Sequence, residues 1–269
     1  MGRFRLDIEY AGTRYSGWQK QKNGRTIQGK LIEAAEKIFK GERIDIQGSG
    51  RTDAGVHALN QVAHLEVKTM LAPEIIKMKL NDLLPADINI LEVSKAGKNF
   101  HARHDAVSRS YIYQISRRRT AFGKQFVWWI KDELDFEYMK RVGGLFEGMH
   151  DFASFADKDS EDKSTKALIE SIQFKEVGEL ILIRIVGSHF LWKMVRRIVG
   201  VLAEAGRHKL NENDVESYLN VFSREPAKYT APPSGLFLEK VIYEKNYQWE
   251  ELEPVINLIP TIKFGRREK

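Results

Sequence analysis

The segment RFRLDIEY, Arg3 to Tyr10, alternates without exception. Phe4, Leu6, Ile8 and Tyr10 fall on one face, and Arg3, Arg5, Asp7 and Glu9 on the other, the period of a half-buried strand. Helical periodicity follows. Thr26 opens a helix with Ile27, Leu31, Ala34, Ala35 and Ile38 on one stripe, and Gly41 ends it. Strands are expected near Gln61 to Val67, Ile88 to Val93 and Arg109 to Ser116, with a helix from Pro73 that stops at Pro85. The second half repeats the vocabulary. Asp135 caps a helix through Phe146, Ile172 to Val177 and Leu180 to Val186 read as a hairpin, and a long helix runs from His189 to Ala205. Asn211 caps a shorter helix to Phe222, and GLFLEKVIY makes the last strand. Two halves that each mix strands, hairpins and helices predict an α+β chain of two similar units, 1–104 and 105–269.

Composition narrows the function. The 269 residues carry a formal net charge of +6, which favours an anionic partner, nucleic acid before membrane. There is no cysteine, so disulfides, thiolate metal sites and a cysteine nucleophile are excluded. No apolar run approaches the roughly 18 residues of a transmembrane helix, and MGRFRLDIEY has no signal-peptide core. The expectation is a soluble, cytoplasmic protein. The polar run from Asp157 to Lys166 reads as a mobile loop and the C-terminal FGRREK as a solvated basic tail.

The chemistry concentrates in GSGRTDAGVHA, Gly48 to Ala58, where one short turn holds Arg51, Asp53 and His57. A phosphate loop is excluded, because Asp53 stands where a dinucleotide fingerprint wants glycine and no Gly-Lys-Ser/Thr ending follows. A carboxylate beside an arginine suits a nucleophile or general base. His101 and His104 have the spacing of a ligand pair, but no further ligands are evident, so no metal is expected. Basic residues interleave with aromatics around Arg103, Arg109, Arg117, Arg118, Arg119 and Lys124, with Tyr111 and Tyr113 among them. Arg14, Lys20, Lys22 and Arg25 lie with Tyr15 and Trp18 in the first loop. That mixture suits backbone neutralisation plus base stacking. In HFLWKMVRRIVGVLAEAG the apolar stripe is Phe190, Met194, Ile198, Val201 and Ala205, which leaves Lys193, Arg196 and Arg197 off it.

GRTDAGVHA resembles the catalytic motif of the tRNA pseudouridine synthase A family. YAGTRYSGWQKQ with TIQGKLIEA resembles that family's opening block, NFHARHDAVSRSYIYQI its tyrosine block, MVRRIVG its arginine block and APPSGLFLEKVIY its closing strand. The resemblance implies two ferredoxin-like-type α+β subdomains that share one continuous mixed or antiparallel sheet, with helices on one side and a basic RNA-binding cleft. It further implies a cofactor-free, metal-free homodimer that isomerises uridines in the anticodon arm of tRNA. By motif position Asp53 would be the catalytic aspartate, Tyr111 the ring stacked on the target uracil, and Arg196 the partner of Asp53. Arg51 would displace the target base. The remaining substrate contacts expected are His57, as a support of the loop, with Arg103, Arg109, Arg14, Lys20, Lys193 and Arg197. Two family positions differ: His104-Asp105-Ala106 stands for the usual FDA, and Arg109-Ser110-Tyr111 for RRY. A silent RNA-binding protein, or a histidine- and carboxylate-dependent nuclease, are the rival readings.

Overall fold

The computed structural model describes residues 2–158 and 164–257; half of the polar run, 159–163, and the basic tail lie outside the described residues. The alternating segment is strand β1, Gly2–Tyr10, and its apolar residues are buried. Helix α1 (Ile27–Ile38), capped by the Thr26 hydroxyl, lays Ile27, Leu31, Ala34 and Ala35 on that face. Strands β2 (Asp45–Gly48) and β3 (His57–Val67), helix α2 (Pro73–Leu83) and strand β4 (Ile88–Lys95) complete the first half. Here β1 lies between β4 and β3 and pairs antiparallel with both, while β2 pairs with the far end of β3.

The second half begins with β5 (Ser108–Ser116), the two-residue strand β6 (Trp128–Trp129), helix α3 (Phe136–Gly143) and β7 (Gly148–Asp151). The hairpin is β8 (Lys166–Val177) with β9 (Leu180–Gly187). Helices α4 (Met194–Gly206), α5 (Glu212–Asn220) and α6 (Glu225–Lys228) lead to β10 (Leu236–Ile242). The main strand order is β4-β1-β3-β10-β5-β9-β8-β7. Each half therefore follows one ferredoxin-like scheme in which its first strand lies between its last and its third: β4-β1-β3-β2, then β10-β5-β9-β8. The seam is short, with β10 running parallel to β3 at Phe237–His57 and Leu238–Ala58 only.

Leu236 and Leu238 face Tyr113 and Tyr111 across the β10–β5 pair, and Tyr111 touches the cores of both halves. Helices α1 and α2 cover this face in the first half, and α3, α4 and α5 in the second. The reverse face of β5 and β9 is covered without a helix. Leu252 packs on Ile112, Leu180 and Leu182, and the fully buried Arg184 grips Glu239 with two nitrogens and the Glu250 carbonyl with a third. No described helix is long and apolar enough to cross a membrane.

Candidate active site

The Asp53 loop, residues 49–56, joins β2 to β3 at the seam. The Val56 N–H donates to the Asp53 carbonyl at 3.1 Å, closing a turn in which Gly55 has φ +81°. A side chain at Gly55 would be strained and would meet Pro233 at 2.8 Å, so glycine is required there. The first loop holds this turn from outside. Gly17, at φ +96°, brings the chain so close that a Cβ would lie 2.6 Å from the Thr52 carbonyl. That carbonyl accepts from the Trp18 N–H at 3.1 Å, and the Tyr15 carbonyl accepts from the Gly55 N–H at 3.2 Å. Gly50, by contrast, has open space where its Cβ would stand.

His57 supports the turn from behind. Its Nδ1 accepts from the Gly12 N–H at 3.0 Å, which leaves the proton on Nε2 to be donated to the Gln125 carbonyl at 3.1 Å. The ring stacks on Phe237 with centroids 4.8 Å apart. Burial pushes its pKa down to about 4, so it is neutral at physiological pH.

The opposite wall is the start of α4. A Cβ on Gly200 would lie 1.6 Å from the Tyr229 carbonyl, so only glycine lets residues 229–231 press against the helix. This contact sets Arg196. The Ala231 N–H donates to the Arg196 carbonyl at 3.0 Å, and Arg196 Nε donates back to the Ala231 carbonyl at 2.8 Å. With Nε fixed, Nη1 reaches Asp53 Oδ2 at 2.8 Å. The side chains are 14% and 19% exposed respectively, a pair partly withdrawn from water yet reachable from the cleft. Its neighbour Arg197 turns the other way. It falls on the buried stripe rather than off it, three residues after Met194, and binds Asp157 and the Ser154 carbonyl.

Tyr111 stands on β5 beside Leu238, its ring edge-on to Phe190 at a centroid distance of 5.0 Å. Burial pushes its pKa up to about 12; Arg109 opposes the shift and the charge of Asp53 adds to it. The phenol therefore stays neutral. Tyr113, on the same face two residues on, is fully buried, and its hydroxyl donates to the Pro232 carbonyl at 2.8 Å. Tyr113 is core and Tyr111 is cleft.

Asp53, Tyr111 and Arg196 line one cleft of about 870 Å³ with Arg51, Arg103, Arg109 and Lys193. Arg109 spends its guanidinium on carbonyls, those of Ala106, Ser188, Ser49 and Arg103, at 2.7–3.2 Å. It ties the Asp53 loop to the segment before β5 and the end of β9. Lys193 binds Asp157 at 2.6 Å. Arg14 and Lys20 are exposed on the first loop outside this lining, and His57 and Arg197 are buried behind the two walls. Trp192 and Lys158 also line the cleft and escaped the sequence reading, and Phe190, expected on the apolar stripe of the long helix, lines it too, ahead of α4. The signal for Phe190 and Trp192 was their alternation with Leu191, which enters the core between them.

The rings of His101 and His104 lie 4.2 Å apart at a 45° tilt, and His64 meets His101 edge-on at 4.9 Å. The Nδ1 of His64 accepts from the Ala102 N–H at 3.2 Å, and that of His101 from the Arg103 N–H at 3.2 Å. Both histidines thus hold the segment that leads into β5. Among the described residues no group of three or more His, Asp or Glu is placed to hold a metal ion.

The family model described as tRNA pseudouridine synthase matches residues 8–105 and 144–244. The tRNA pseudouridine synthase A of Geotalea uraniireducens is 42% identical over 245 residues, and that of Thermosipho melanesiensis is 42% identical over 246. The enzyme of Thermodesulfovibrio yellowstonii is 38% identical over 255 residues. Each alignment covers 90% of this chain and 100% of the relative. The chain belongs to the tRNA pseudouridine synthase A family, isomerases that convert uridine to pseudouridine.

Proposed function

We propose that this chain converts uridines in the anticodon stem-loop of tRNA to pseudouridine, with Asp53 as nucleophile or base and without a cofactor. One observation carries the reading: an ion pair of 2.8 Å joins Asp53 from one half to Arg196 from the other, in the same cleft as Tyr111. The reaction breaks the N1–C1′ bond, turns the uracil and closes a C5–C1′ bond. The C5 hydrogen leaves as a proton and N1 gains one, so atoms and electrons balance within the nucleotide and water. The Asp53 carboxylate acts at the target nucleoside, oriented by Arg196, which is itself held by Ala231. A uridine leaving its stack costs a few kcal/mol. Stacking on Tyr111 returns about 1–3 kcal/mol, and the neutral phenol keeps the ring free of charge.

Arg51 is assigned to displacing the base, with Arg103 and Lys193 for phosphate contacts. Arg109, His57 and Arg197 act by holding the walls, and Arg14 and Lys20 contact RNA outside the cleft. Binding through these cations falls steeply with salt. The same reading includes a homodimer and a cytoplasmic location. It also includes the division 1–104 and 105–269, supported by the strand order that recurs on either side. Mapping pseudouridine along a tRNA transcript by carbodiimide adducts and primer extension tests the substrate assignment. Stops confined to the anticodon arm are expected; stops elsewhere, or none, overturn it.

A further inference from the structure

The cleft carries a second aromatic that the reaction at Asp53 does not use. Trp192 is 47% exposed, although it lines the same cleft as Asp53 and Tyr111. Isolated exposed apolar side chains are ordinary, but this one is built in place. Leu191 before it and Met194 after it are buried, which anchors the segment on both sides. Lys193 between them has φ +65°, a conformation a lysine adopts only when its surroundings impose it. The surroundings are identifiable. Asp157 binds Lys193 Nζ at 2.6 Å and Arg197 with its other oxygen, and its N–H donates to the Trp192 carbonyl at 3.1 Å. This left-handed residue completes a turn, closed by the Met194 N–H on the Leu191 carbonyl at 3.1 Å, and leads into α4, so that Trp192 is presented at the cleft four residues before Arg196.

The electrostatics match the shape. Lys193 Nζ lies 5.1 Å from the centroid of the indole, and Lys158, which follows Asp157 in the chain, also lines the cleft. A flat exposed ring with one ammonium group over it, and a second lysine in the same cleft lining, suits a base stacked on the indole and a phosphate beside it. The asymmetry with Tyr111 is informative. Tyr111 is partly buried and set edge-on against Phe190, a more enclosed ring for a flipped base, whereas the Trp192 indole stands half in solvent.

We propose that Trp192, with Lys193 and Lys158, forms a second nucleotide subsite that stacks a base flanking the target uridine and so holds the anticodon loop open while the target is turned. The proposal rests on the reading of the chain as a tRNA-modifying enzyme. Asp157 is the positioning residue of this subsite, since it contacts RNA only through the geometry it gives Trp192 and Lys193.

The test uses the full chain and a tRNA transcript with 2-aminopurine placed in turn at the nucleotides on either side of the target. In the wild-type complex the probe at one of those two places should be quenched by stacking, and Trp192→Ala should restore its emission. The same variant should weaken tRNA binding roughly tenfold, with the loss in KM rather than in kcat, and Trp192→Tyr should recover most of it. Thermal melting of the free variants serves as the control for folding, because Trp192 is not part of the core. Unchanged affinity in a folded Trp192→Ala, or a probe equally bright in both complexes, overturns the subsite. Wild-type enzyme that binds tRNA but releases no C5 hydrogen overturns the functional reading instead.

Discussion

The two walls of the cleft are made of different material. The Asp53 wall is a turn of backbone held by backbone: Gly17 and Gly55 permit the contacts, and Thr52, Tyr15 and Trp18 supply the hydrogen bonds. The Arg196 wall is the end of a helix whose Met194, Ile198, Val201 and Ala205 are fully buried in the larger core. Each half of the molecule follows the same strand order, yet one contributes a loop and the other a helix terminus. The division suits the chemistry. On the proposed reading, a carboxylate that approaches the nucleoside sits on a thin loop, and the arginine paired with it is anchored in aliphatic packing.

Removing the anchor should have the largest effect. Arg196→Ala takes away the partner of Asp53 and the donor to Ala231 together, and should lower single-turnover C5 hydrogen release by about a hundredfold or more. A variant within threefold of wild type would show that the two walls need not be coupled. Gly200→Ala is more selective, because it changes no side chain of the cleft while driving a methyl group into the Tyr229 carbonyl. It should cost about 1–3 kcal/mol in denaturant unfolding and reduce activity through the displaced Arg196. Gly50→Ala is the matching control in the other wall and should leave unfolding unchanged, since its Cβ meets open space.

Acid should separate the walls by a smaller margin. His57 behind the Asp53 loop titrates at about 4 in the fold against an ordinary 6.5, because burial opposes its charge. The unfolded chain therefore takes up the proton first. The stabilisation is complete above pH 6.5 and is lost as pH falls towards 4. His64, also held near 4 by burial and by His101, adds to the loss in the same window. In the other wall Asp157 is the group that responds. Burial alone would raise its pKa, but Lys193 and Arg197 outweigh that and hold it below its ordinary 3.8. That wall should keep the contribution of Asp157 above pH 3.8 and lose it progressively as pH falls further. Melting temperatures across this interval should decline in wild type and decline less in His57→Gln.

Much of this arrangement was legible in the sequence, and what was not has physical reasons. β1, α1, α2, β5, β9, α5 and β10 follow from period, caps and breakers, because local signals and burial agree there. β3 begins at His57 rather than at Gln61, since the polar His57, Asn60 and Gln61 mask a strand that the seam extends. β8 likewise starts at Lys166, ahead of its strong alternation. The short strands β2, β6 and β7 are imposed by their neighbours and have no pattern of their own. α4 starts at Met194 instead of His189 because Lys193 is left-handed, which no helical periodicity announces. Within the site, the motif placed Asp53 and Arg196, but the opposite fates of Arg196 and Arg197 depend on the rotation of α4. The use of Arg109 as a clip depends on where four distant carbonyls come to lie.

The central claim is that the carboxylate held between these two walls performs the isomerisation. It is tested by tritium release from a tRNA transcript labelled at uridine C5, comparing wild type with Asp53→Asn, which keeps the size of the side chain and removes its charge. The account predicts release by wild type and a loss of at least about a thousandfold in the variant, with tRNA affinity within a few-fold. Comparable release by the two proteins would contradict it.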